Sequence, residues 1–291
     1  MNRPDKRIGL GAVGGAAWSA LQWRLLLLWL AGLLLPTAMV ALPLWRALAG
    51  QLDNTLHAAD WARQFNPLAA SDLISMLLKS SSLIGASGLL ATVLVLLLSP
   101  LLTGMSIASI RAGRTLGFGG LLHGGISEYG RLLRLMLWAI VPLGVAIGLG
   151  AGAMHMAGLK AGDAILESQV SRASNIALLI AAALFVFAHA TVEAARAQFA
   201  VDDSLHSAIR AWWRGLKLVV RRPLAMLGVY LILAAIGLGI AAALGVWRVG
   251  LAHASLPGFL LALLLTQLIA LAIGWMRSAR LFAYARITRG Y

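Results

Sequence analysis

The chain has 291 residues, 60% of them hydrophobic and only 12% charged, with a mean hydropathy of +0.87 and a net charge of +14. A soluble domain carries roughly 25% charged residues, so a globule of this composition could not cover its own surface, and lipid must cover it. There is no cysteine, which excludes disulfides, thiolate metal sites and thiol catalysis.

Arg3, Lys6 and Arg7 precede the first apolar run, and residues 1–23 read as a cytoplasmic N-terminal segment. The run from Leu25 to Leu44 is too long for a signal-peptide core, and no small-x-small cleavage pattern follows it. We therefore read 24–45 as the first span. Further spans are expected at 83–105, 135–156, 176–196, 224–246 and 256–276, each long enough to cross a bilayer at about 1.5 Å per residue. The fold class is all-α, a polytopic membrane protein whose residues 24–291 form a single domain of six transmembrane helices. An external loop is expected at 46–82. Within it Leu52, Leu56, Ala59 and Ala62 recur at helical spacing before Asn66-Pro67 breaks the chain, which predicts a short helical hairpin on the outer surface.

Eighteen of the 24 Lys and Arg fall in the N-terminal segment, the second and fourth connections and the C-terminus, whereas the acidic residues divide evenly between the two sides. The positive-inside rule then puts both termini in the cytoplasm. The high pI is a topology signal and an attraction to anionic lipid headgroups. Spread over four short segments beside the bilayer, it does not argue for nucleic acid. The expected location is the bacterial inner membrane.

Two of the basic connections match each other at an offset of 83 residues. Leu122, His123, Ile126, Tyr129, Arg131 and Arg134 align with Leu205, His206, Ile209, Trp212, Arg214 and Lys217. The exit motifs Arg111-x-x-Arg114, Glu193-x-x-Arg196 and Arg277-x-x-Arg280 recur at similar intervals, each followed by a Phe. The economical reading is three tandem hairpins joined on the cytoplasmic side. The alternative is convergence, since every membrane exit needs Arg for orientation.

The second copy predicts a cytoplasmic amphipathic helix over 203–221, with Asp202 or Asp203 as N-cap acceptor. At 100° per residue Leu205, Ala208, Ile209, Trp212, Trp213 and Leu216 share an apolar arc of about 140°, beside a cationic arc holding Arg210, Arg214, Lys217 and Arg221. The expected interface residues are Arg210, Trp212, Trp213, Arg214, Lys217 and Arg221, placed on anionic membrane lipid at the headgroup boundary. A protein partner docking at the cytoplasmic face is the competing use. Gly124 and Gly125 predict a weaker helix in the first copy. Ridges of small residues at Gly144, Gly148 and Gly152, and at Gly237, Ala241 and Gly245, predict that the third and fifth spans pack together.

Within the spans, His189, Glu193 and Arg196 share one face of the fourth, and Gln267 lies mid-way along the sixth. Intramembrane ionisable groups are candidate functional sites by default. The leading reading is structural pairing, with Glu193 and Arg196 bound to each other or to Arg277, and a proton or solute pathway is the rival. No metalloprotease, nucleophile-elbow or phosphate-loop motif occurs, so no enzyme, cofactor or metal is expected.

The stretch from Ala195-Arg196 through Phe199, Val201-Asp202-Asp203-Ser204 and Arg222-Pro223 to Leu227 and Tyr230 resembles the six-helix membrane domain of some bacterial glycerophosphodiester phosphodiesterases. It is similar also to related free-standing inner-membrane proteins. The resemblance covers the last half of the chain and implies a fold. The phosphodiesterase barrel is absent, so its hydrolase activity is not implied. The functional expectation is a non-enzymatic membrane scaffold or accessory of an envelope complex, with a small-solute or lipid permease as the alternative.

Overall fold

The structure, a computed structural model, describes residues 10–52, 82–162, 167–251 and 255–290, with Pro67, Ser71 and Ser75 as isolated helical positions between. Most of the expected external loop lies outside the described residues. Among them the fold is all helical: α1 (Leu10–Ser19), α2 (Trp23–Leu52), α3 (Ser82–Ala112), α4 (Phe118–Gly162), α5 (Glu167–Val201), α6 (Ala208–Arg221), α7 (Pro223–Val249) and α8 (Leu256–Arg289). Six of these, all but α1 and α6, are long and apolar enough to cross a membrane. Their outer faces carry exposed Leu89, Ile140, Leu179 and Leu260, as a lipid-facing surface requires. Inside lipid a helix is the element that satisfies its own backbone, and that is why apolar runs of this length adopt it.

Neighbours in sequence pack side by side as α2 with α3, α4 with α5 and α7 with α8, and α3 packs closely on α4 as well. Burial is concentrated at the basic end. Phe199, Met226, Leu233, Ile107, Leu135 and Tyr284 are almost fully enclosed there, and the last third of α8 is buried nearly all round. Tyr284 donates from its hydroxyl to the Met226 carbonyl (2.8 Å), fixing α8 against the start of α7. Toward the other end the helices expose most of their apolar side chains.

The N-terminal segment contributes structure of its own. Ala16 of α1 and Ala20 just after it are fully buried, and Trp275 Nε1 donates to the Ala17 carbonyl (3.0 Å). The Arg286 guanidinium lies against Gly15, where a Cβ would stand 2.9 Å from Nη1, and it donates to Ser19 Oγ (2.7 Å).

Three sequence expectations are corrected. The first repeat copy is no weak helix, since α4 runs unbroken from Phe118 through the span to Gly162. Gly124 and Gly125 serve a close crossing with α3: a Cβ on Gly124 would overlap that of Ala108, and one on Gly125 would come within 3.0 Å of the Leu101 carbonyl oxygen. The packing gained outweighs their poor helix propensity, about 1 kcal/mol each. Second, Gly144, Gly148, Gly152 and Gly245 face open space and make no third-to-fifth-span interface; Gly150 meets Ala181 of α5 and Gly237 meets Met276 of α8. Third, α6 begins at Ala208 and not at 203, with Ser207 as N-cap accepting from the Arg210 N–H.

Candidate functional site

Two ionic clusters and one surface helix make up the basic end. The first cluster ties three elements together. Glu128 of α4, 3% exposed, accepts from Arg111 Nη1 of α3 (2.6 Å) and from Arg131 of its own helix. Asp203, in the α5–α6 linker, meets the same two guanidiniums at 2.8 and 3.2 Å. Arg131 also donates to the carbonyls of Asp203 and Leu205, and Arg111 to that of Phe199, so the linker is held by its backbone too. Two carboxylates thus neutralise two guanidiniums. The two matched segments each place an arginine on this linker, Arg131 on Asp203 and Arg214 on Asp202 (2.7 Å). Hydrogen bonds from Ser204, and then Arg214, hold the Asp202 carboxyl below its ordinary range.

The second cluster lies deeper, where α5, α7 and α8 meet. Glu193 is buried and accepts from Arg196 Nη1 (2.9 Å), which decides between the two partners the sequence allowed. His189, one turn further in, shares a hydrogen bond with the Tyr230 hydroxyl (3.1 Å), and the two rings meet edge to face at 5.6 Å. Arg280 lies over the Tyr230 ring at 4.8 Å, and Arg277 over Trp29 at 5.9 Å. Beside Glu193 is a cavity of about 10 Å³, room for one water. Gln267 is half-buried on α8 with no hydrogen-bond partner among the described residues, so it is not brought into this cluster. No group of three His, Asp or Glu is placed to hold a metal among the described residues.

The surface helix α6 lies across the end of α5. Ala211, Gly215, Leu218 and Val219 are its buried side. Gly215 permits the approach, because a Cβ would fall 2.7 Å from the Ala195 nitrogen and 3.0 Å from the Thr191 carbonyl oxygen. Trp212 turns inward, donating from Nε1 to Thr191 Oγ1 (3.1 Å) and meeting Trp138 edge-on at 5.9 Å. The broad apolar arc expected from sequence therefore divides in two, one part on protein and one uncovered. The uncovered stripe is Ile209, Trp213 and Val220, 51–60% exposed. Arg210, Arg214 and Lys217 run alongside it on the exposed surface, and Lys217 Nζ lies 5.5 Å from the Trp213 ring. Arg221 closes the cationic row at the end of the helix.

Sequence reasoning missed the Arg111–Glu128–Arg131–Asp203 cluster as a unit. The available signal was Glu128, the lone acid between Asp72 and Asp163, standing among basic residues. Compared with protein-family models, curated proteins and solved structures, the chain matches none. The resemblance of the segment from Ala195 to Tyr230 accordingly rests on its own residues.

Proposed function

We propose that this integral membrane protein is a non-catalytic scaffold of the bacterial inner membrane, held at its basic, cytoplasmic end on anionic lipid and organising a partner of the cell envelope there. One observation carries the reading. α6 leaves an apolar stripe of Ile209, Trp213 and Val220 uncovered by protein, directly beside a cationic stripe of Arg210, Arg214 and Lys217. A helix with those two adjacent faces suits the headgroup boundary, with Trp in the interfacial layer and Arg toward anionic phosphates. The buried ionisable groups support the same reading, because Glu128 is taken up in an ion pair that joins α3 to α4 and Glu193 in one within α5.

The permease alternative draws less support. His189 and Glu193 already have partners, the cavity beside Glu193 has room for one water, and Gln267 stands apart. The deciding experiment is purification from native membranes in mild detergent. The scaffold reading expects the same envelope protein to accompany the chain in near-stoichiometric amount. Repeated recovery of the chain alone, together with solute uptake by proteoliposomes, contradicts it.

A further inference from the structure

The recess between α4 and the segment formed by the α5–α6 linker and the start of α6 changes character along its length. Its outer part, about 440 Å³, is lined by Ser127, Arg131, Asp203 and His206 among others, and its inner part, about 620 Å³, by Leu137, Val141 and Ile209; Arg134 and His206 line both. The direction of this gradient is set by α4. At 1.5 Å per residue Val141 lies about 10 Å further into the span than Arg134. Polar to apolar along this groove is therefore headgroup level to hydrocarbon.

Charge in the outer part does not balance. Glu128 and Asp203 are matched by Arg111 and Arg131. Arg134 is left over: its Nε donates to the Gly130 carbonyl of its own helix (3.0 Å), and its terminal nitrogens meet no protein acceptor among the described residues. His206 donates from Nδ1 to the Ser204 carbonyl (2.7 Å), which leaves Nε2 for the groove. In the inner part Leu137, Val141 and Ile209 are all more than half exposed.

We propose that this groove holds one anionic phospholipid, its phosphate on Arg134 beside His206 and one acyl chain along Leu137, Val141 and Ile209. The inference rests on the lipid-anchored reading above and narrows it from a surface to a site. A guanidinium recognises a phosphate through two parallel donors. The apolar half of the groove would add nothing to the binding of a free phosphate, and its alignment with the bilayer normal fits a molecule that is polar at one end only.

The test is native mass spectrometry of the full chain in mild detergent, with phosphatidylglycerol, phosphatidylcholine or glycerol 3-phosphate added. One phosphatidylglycerol should survive activation that strips the rest, with phosphatidylcholine retained about tenfold less, because its choline cation offsets the phosphate charge and is repelled by the unmatched Arg134. Glycerol 3-phosphate should not be retained. Arg134→Gln should lower phosphatidylglycerol retention about tenfold, and Val141→Trp, which fills the inner groove, should lower it independently. Both positions are exposed, so thermal stability should hold. Equal retention of the two lipids, or no effect of either variant, overturns the proposal. Arg210→Gln with Lys217→Gln separates site from surface. It should leave the retained lipid in place while raising hydrogen exchange of α6 in anionic nanodiscs. If exchange rises but wild type retains no lipid, the groove is refuted and the lipid-facing helix stands. A retained lipid with unchanged exchange refutes the helix reading alone.

Discussion

Glu128→Gln probes whether the basic end is held together by its buried ion cluster. Removing one partner of a buried ion pair costs about 3–5 kcal/mol, because the opposite charge is stranded out of water. Here Asp203 remains within 2.8 Å of Arg111 and 3.2 Å of Arg131, so it takes up part of the load. The expected cost is therefore at the low end, about 3 kcal/mol. Asp203 itself has a side chain 78% exposed, and Asp203→Asn should cost about 1 kcal/mol or less, since water screens an exposed pair. For a chain of this length about 2 °C of melting temperature is lost per kcal/mol. Scanning fluorimetry in detergent at a fixed heating rate should show a fall of about 6 °C for Glu128→Gln and at most about 2 °C for Asp203→Asn. Equal falls, or a larger one for Asp203→Asn, would refute the reasoning, because burial is what separates the two carboxylates.

The glycine positions give a paired comparison. Gly124→Val should drive α3 and α4 apart at a cost of about 1–3 kcal/mol, whereas Gly144→Val, facing open space, should stay within about 0.5 kcal/mol; melting temperatures of the two variants decide it. The Asp202–Arg214 link predicts a pH dependence. A carboxyl held below its ordinary value of 3.8 by Ser204 and Arg214 contributes its stabilisation above that value and loses it as pH falls through the lower, folded one. Hydrogen exchange of α6, corrected for intrinsic rate, should thus show α6 loosening in the wild type only once pH falls below the ordinary carboxyl value, whereas Asp202→Asn should already be loosened at neutral pH and show no such transition.

The span count was legible because a membrane crossing demands a long apolar run, and no other element meets that demand. The starts of α7 and α8 were legible to a residue, since α7 begins at Pro223 and α8 carries Pro257 in its first turn. Where local and tertiary preferences disagreed, the sequence misled. Gly124 and Gly125 argue locally against helix, yet their missing side chains are what lets α3 approach. Beyond Arg277 and Arg280, which their spacing reads as a membrane exit, α8 continues as helix to Arg289, with Tyr284 fixed on α7. The cationic row of α6 lies exposed as its spacing predicts, but the apolar arc does not form one face. Only the three-dimensional contact with α5 reveals that Trp212 points inward and Trp213 outward. The Glu128 cluster was hidden for a related reason: its members come from segments up to 92 residues apart, which no local periodicity links.

The placement of α6 at the membrane surface is open to direct measurement, and the absence of cysteine makes it clean. Single cysteines at Ile209, Val220, Arg210 and Lys217 in the full chain, reconstituted in anionic bilayers and spin-labelled, report depth by power saturation. Labels at Ile209 and Val220 should be more accessible to oxygen, which concentrates in lipid, and those at Arg210 and Lys217 more accessible to a water-soluble nickel complex. If all four are equally open to nickel, α6 faces water and not the bilayer, and the account of this end of the protein is contradicted.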